Sequence, residues 1–156
     1  MRKSTGPRIH VECKPDEVLV RALGVPRREI KHWRDKGRVC KHLQDNPGLM
    51  GLIDEDPLSA QPAGLGRQRP EERPEYGLKV VAGSSCLIIL CPRLEEWILQ
   101  AAKEATLDPP RFGLPDQGED LHDVINLRLK NFENLLKELQ RRDSPWLREL
   151  KRLLRI

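Results

Sequence analysis

The stretch Leu49-Met50-Gly51-Leu52-Ile53-Asp54-Glu55-Asp56-Pro57 runs apolar residues into three carboxylates and stops at a proline. Earlier, Glu12 ends the alternating run Arg8-Ile9-His10-Val11, and Asp16 follows it. Clustered carboxylates repel one another unless a positive charge sits among them. Hard divalent cations prefer oxygen ligands, so Mg2+ or Mn2+ is the natural partner of such a set. Residues two apart on an extended backbone face the same way, which predicts that Asp54 and Asp56 reach one point while Glu55 turns away. If their strands are parallel neighbours, Glu12, Asp54 and Asp56 converge at one end of a sheet, where α/β proteins bind ligands. The plainer reading is an acidic loop after a buried strand, with Asp16 favouring the positive end of its own helix.

Basic residues also stand out in the sequence. Lys14 lies two residues after Glu12, Lys36 and Arg38 flank Gly37, and Arg93 follows an apolar run that ends at Cys91. Each is more often just a surface cation. Glu95 and Glu96 offer a further ligand, although glutamates in a first helical turn are expected for the helix dipole alone. His32 is either a proton carrier or a structural residue beside Trp33. The four cysteines, Cys13, Cys40, Cys86 and Cys91, form no CxxC pair and suggest reduced thiols rather than a zinc site.

Several elements must position these groups. Residues 8–13 alternate as a short strand. Pro15 suits a first helical turn, Val18, Leu19, Ala22 and Leu23 form an apolar face, and Gly24 ends it. Pro26 opens a second helical segment, 26–46, in which Ile30, Trp33, Val39 and Leu43 share a face and Gly37 is a weak point. Residues 49–53 form a continuous apolar strand of the kind covered on both faces. Residues 57–74 hold four prolines and two glycines and read as a long surface loop. Two strands follow, joined at Gly83-Ser84-Ser85, and then a helix with Leu94, Trp97, Ile98 and Ala101 on one side. Apolar spacing predicts one long helix over 119–141, and Ser144 with Pro145 starts a last one, 144–156. The two pack by their leucine faces and leave Arg128, Lys137, Arg141, Arg148 and Arg152 exposed. The order predicts an α/β layered sandwich with a mostly parallel central sheet and a helical C-terminal third.

At 156 residues the chain has the length of one domain and carries a net charge of +4. No apolar run approaches a membrane span and no signal-like segment opens the sequence, so a cytoplasmic protein is expected. Residues 127–156 hold nine Lys/Arg against four Asp/Glu, an excess of five that suits phosphate contact or a solvated helix face. The leucine-rich C-terminal helices leave open a homodimer or a larger protein partner.

The stretch Val11-Glu12-Cys13-Lys14-Pro15-Asp16 resembles the first motif of Toprim domains, and Leu52-Ile53-Asp54-Glu55-Asp56-Pro57 resembles their second, Asp-x-Asp. The closest likeness is to small stand-alone Toprim proteins related to OLD-family nucleases. It implies one Toprim-like domain over 1–156, with a core of about 8–105 and a helical extension of about 116–156. It also implies a Mg2+- or Mn2+-dependent nuclease acting on DNA or RNA. Glu12, Asp16, Asp54 and Asp56 fall on metal-binding positions, with Lys14 and Arg93 as basic helpers. Cys13 departs from the usual glycine, and no companion ATPase or topoisomerase domain accompanies the motifs. Both departures favour an alternative, a non-catalytic Toprim-like module that binds nucleic acid or protein, as in bacterial or phage defence. A receiver-like domain fits less well, because Cys91-Pro92-Arg93 stands where that fold needs a lysine.

Overall fold

A computed structural model of the chain describes residues 6–57 and 69–156. Among these, strands β1 (Ile9–Val11), β2 (Ile30–His32), β3 (Met50–Asp54), β4 (Glu71–Arg73), β5 (Leu78–Ala82) and β6 (Cys86–Leu90) form one sheet in the order β2-β1-β3-β6-β5-β4. The first four of that order are parallel, with Val11 beside Leu52 and Leu52 beside Ile88. The last two pair antiparallel. The helices are α1 (Lys14–Ala22), α2 (Lys36–Asp45), α3 (Leu94–Glu104), α4 (Gly118–Val124), α5 (Leu129–Arg141) and α6 (Pro145–Leu153).

Alternation along each strand divides the sheet between two cores. Ile9, Val11, Leu52, Ile88 and Leu90 face the larger one, which holds Leu19, Trp97, Ile98, Phe132, Leu136 and Leu150 from α1, α3, α5 and α6. Ile53, Leu87 and Ile89 face the other side, where Val39, Cys40 and Leu43 of α2 cover them. Gly51 lets α2 come close, since a Cβ there would stand 2.5 Å from the Leu43 methyl and 3.1 Å from that of Val39. The architecture is therefore an α/β layered fold with a mostly parallel sheet.

Three expected elements differ. Residues 26–46 are not one helical segment: a 3-10 turn (Arg27–Glu29) leads into β2, and α2 begins only at Lys36. Asp35 sets that start, its carboxylate accepting from the Gly37 N–H at 2.7 Å. Residues 119–141 are not one helix either, since a 3-10 turn (Ile125–Leu127) separates α4 from α5. Leu127 is 86% exposed at this break. The expected loop over 57–74 lies partly outside the described residues, and its described end contains β4 and a 3-10 turn (Pro74–Tyr76). The last helix starts as expected, with Ser144 Oγ accepting from the Leu147 N–H. No helix among the described residues is long and apolar enough to cross a membrane.

Candidate metal centre at the sheet's switch point

From β1 the chain crosses by α1 to β2 on one side, then by α2 to β3 on the other. The two connections run on opposite faces of the sheet, so the crevice at the carboxyl ends of β1 and β3 is the topological switch point, the usual place for a ligand in such sheets. Glu12 follows β1 and Asp54 ends β3. Glu12 Oε1 accepts from the Asp54 N–H at 3.2 Å, which links the two strand ends.

Two helix N-termini close the crevice. Asp54 Oδ1 accepts from the Leu94 N–H at 3.0 Å and so caps α3 from across the sheet. Asp16, in the first turn of α1, reaches back to the Cys13 N–H at 3.2 Å and the Cys13 thiol at 3.1 Å through one oxygen, Oδ2. Its other oxygen, Oδ1, is buried with no partner, and Asp16 as a whole is fully buried. Glu95 is 4% exposed. Its Oε1 lies 3.2 Å from His122 Nδ1, while its Oε2 is buried without a partner.

These groups act on one another. Burial, and then the neighbouring charges of Asp16, Glu12 and Glu95, hold the Asp54 carboxyl far above the ordinary carboxylate range. Burial raises Asp16 as well; the Cys13 thiol opposes the rise, and Glu12 and Glu95 add to it. Glu12 is raised by burial, with relief from its bond to the Asp54 backbone and from the Lys36 charge. Lys36 is only 8% exposed, and its ammonium donates to the Asp54 and Glu55 carbonyls at 3.4 and 3.0 Å. The site therefore gathers Glu12, Asp16, Asp54 and Glu95, and the buried Lys36 holds the end of β3 and acts on Glu12.

Asp56 lies beyond the end of β3 with φ +39°, so the alternation that puts residues two apart on one face no longer applies to it. Its N–H donates to the Pro92 carbonyl at 2.7 Å, and its charge still raises Glu12. Glu55 turns away, as expected, and pairs with Lys79. Lys14 pairs with Glu17 at 3.3 Å. Arg93 is bound by Glu96 and by Glu119, the latter at 3.5 Å. The sequence left Glu95 and Glu96 undivided, and the structure separates them: Glu96 serves Arg93, and Glu95 joins the carboxylates. Lys36 carried no stronger signal than Arg38 until its burial was visible.

His10 is engaged away from the site. His10 Nδ1 accepts from Trp33 Nε1 at 2.8 Å, which leaves the proton on Nε2, 3.0 Å from the Pro7 carbonyl. All four cysteines are free thiols. Among the described residues, no three His, Cys, Asp or Glu side chains form a group that could hold a metal ion as they stand. The donor set nonetheless suits a hard cation in kind, being all carboxylate, buried, mutually repelling and short of hydrogen-bond donors. No protein-family model, curated protein or solved structure matches the chain.

Proposed function

We propose that the chain is a divalent-metal-dependent nuclease whose metal centre is the switch-point cluster. The observation that carries this reading is the pair of buried, unpartnered oxygens, Asp16 Oδ1 and Glu95 Oε2, facing the same crowded carboxylates. A buried polar oxygen without a donor is costly, and a buried carboxylate more so. Glu12, Asp16 and Asp54 would hold Mg2+ or Mn2+, with Glu95 as a fourth carboxylate and Asp56 at the rim. The resemblance of the Glu12 and Asp54-x-Asp56 stretches to Toprim motifs supports the same assignment.

A bound divalent ion would orient a phosphodiester, favour the attacking oxygen and neutralise charge on the leaving one. The chain's own groups prepare for this. The Leu94 and Cys13 N–H groups fix one oxygen each of Asp54 and Asp16. Lys36 holds the β3 end by its carbonyls and offsets part of the negative charge at Glu12. The N-termini of α1 and α3 both meet at the crevice and favour an anionic phosphate there.

A second reading, a non-catalytic Toprim-like module that binds nucleic acid or protein, rests on a separate observation. Lys14 and Arg93, the cations the resemblance would assign to the phosphate, are paired with Glu17, Glu96 and Glu119. Incubation of the full chain with single- and double-stranded DNA and RNA in Mn2+, Mg2+ and Ca2+ separates the readings. Cleavage in Mn2+ or Mg2+ that fails in Ca2+ and in Asp54→Asn supports the nuclease. Nucleic-acid or protein binding without cleavage in any metal supports the module.

A further inference from the structure

The other end of α1 carries a feature that the carboxylate site does not use. A cavity of about 520 Å3 lies between the last turns of α1, the turn after it and α5. That falls within the roughly 300–1,000 Å3 of small-molecule sites. Val18, Ala22, Val25 and Pro26 supply apolar lining. Gly24, at φ +114°, makes the turn that carries Val25 and Pro26 back over the helix.

Charge on the cavity is unbalanced. Arg21, Arg27 and Lys137 line it against one acid, Glu133. Glu133 is already flanked by Lys137 at 3.1 Å and Lys130 at 3.6 Å. Arg27 is 74% exposed, and its only approach to a carboxylate among the described residues is 3.8 Å to Glu17. Arg21 has no carboxylate partner among the described residues. A helix C-terminus ordinarily adds negative potential, but here the last carbonyls are taken. Those of Leu19, Val20 and Arg21 accept from Leu23, Val25 and Gly24, and that of Ala22 accepts from Gln140 Nε2 at 2.8 Å. An anion entering the cavity therefore meets guanidinium groups beside an apolar wall.

We propose that this cavity binds a small organic anion: an apolar body against Val18, Ala22, Val25 and Pro26, with its phosphate or carboxylate held by Arg21 and Arg27. Guanidinium forks match both head groups, and charge-assisted hydrogen bonds are the stronger kind. Because the cavity and the carboxylate crevice sit at opposite ends of α1, the inference does not depend on the nuclease reading.

The test is an amide-shift titration of the full, isotope-labelled chain with 1-naphthyl phosphate, 1-naphthoate, 1-naphthol and inorganic phosphate. At least one naphthyl anion should shift Gly24, Val25, Arg27 and Gln140 and saturate. Loss of a charged hydrogen bond weakens binding about tenfold or more, so 1-naphthol should bind more weakly by that factor. Inorganic phosphate, lacking the apolar body, should do the same. Whichever naphthyl anion binds tighter identifies the head group. The double substitution Arg21→Ala and Arg27→Ala removes two exposed side chains, and should cost the anion a similar factor while the melting temperature holds. The proposal is overturned if neither anion shifts these amides, or if 1-naphthol or inorganic phosphate binds as well as the anions. Unchanged affinity in the double variant would overturn it too. So would a short oligonucleotide that shifts these amides more than either naphthyl anion, since that marks a nucleic-acid track.

Discussion

Two regions of this chain are rich in charge and treat it in opposite ways. On the C-terminal helices the charges lie on the surface and pair locally: Arg141 and Arg142 with Glu138, Arg148 with Asp143, Arg152 with Glu149, and Lys130 and Lys137 with Glu133. The four acids of residues 127–156 hold six of the nine Lys/Arg there in local ion pairs, and the excess of five positive charges stays on the surface. At the switch point, four carboxylates crowd a buried crevice in which Lys36 relieves Glu12, and two of their oxygens have no donor. Exposed pairs contribute little to stability in water, whereas buried unbalanced charge carries a real cost. The second region is the one that calls for a functional explanation.

The largest way to sharpen this contrast is to remove one buried charge. Asp54→Asn keeps the side chain's shape and can still accept from the Leu94 N–H, but it takes away a ligand charge. Cleavage supported by Mn2+ should fall to background. The metal-free variant should melt higher than wild type, because Asp16, Glu12 and Glu95 no longer face a fourth carboxylate. A variant that cleaves normally would make Asp54 a helix cap and no more.

The same cluster sets a pH dependence. Asp54 and Asp16 bind protons above their ordinary value of 3.8 when folded, so across that range the folded state holds more protons than the unfolded one. Stability of the metal-free protein must then fall as pH rises from about 4 toward and beyond neutrality. Melting curves from pH 5 to 8 should show this decline, Asp54→Asn should flatten it, and saturating Mn2+ should oppose it by binding the folded form. A flat profile in wild type would mean that the carboxylates do not feel one another.

Lys36→Met comes next. The substitution removes a buried donor to two carbonyls and the cation that relieves Glu12. Hydrogen bonds to charged groups are worth about 1.5–3 kcal/mol, and a loss of that order is expected in denaturant unfolding. Lys36→Arg keeps the charge and should recover part of the stability. Equal loss in both would show that packing around the aliphatic stem, not the charge, matters.

How much of this was legible in the sequence follows the same division. Glu12 and Asp54 could be read because each ends a strand whose alternation or apolar run is plain. Their adjacency followed once β1 and β3 proved to be parallel neighbours. The strand β2 was hidden because Ile30-Lys31-His32 is short, half-exposed and set between a proline-led turn and Asp35, so its apolar residues also suited a helix. Alternation could not position Asp56, because β3 ends at Asp54 and Asp56 itself has a positive φ. Glu95 could not be told from Glu96, since a first-turn glutamate is favourable whether or not it faces a site. Lys36 depended on burial, which no local pattern encodes. The break at Leu127 defeated a helical period that otherwise holds on both sides of it.

The smallest expected effect belongs to the surface region and completes the comparison. Glu138 accepts from Arg141 Nε at 2.9 Å and Arg142 Nε at 3.1 Å, and these bonds hold its carboxyl down to about 2. A lowered carboxyl stabilises the fold above its ordinary value of 4.5 and loses that contribution as pH falls through about 2. At neutral pH the pairing is therefore fully formed, yet its guanidinium partners are exposed and the charges are screened. Arg142 also donates to the Ala105 carbonyl at 2.9 Å, so it keeps a partner when the carboxylate is gone. Glu138→Gln should shift the melting temperature only slightly at low salt, and about 1 M salt should erase the difference. A drop as large as that of Lys36→Met, unaffected by salt, would show that the surface pairs carry structure after all. The contrast between buried imbalance and exposed pairing would then fail at the end that looked simpler.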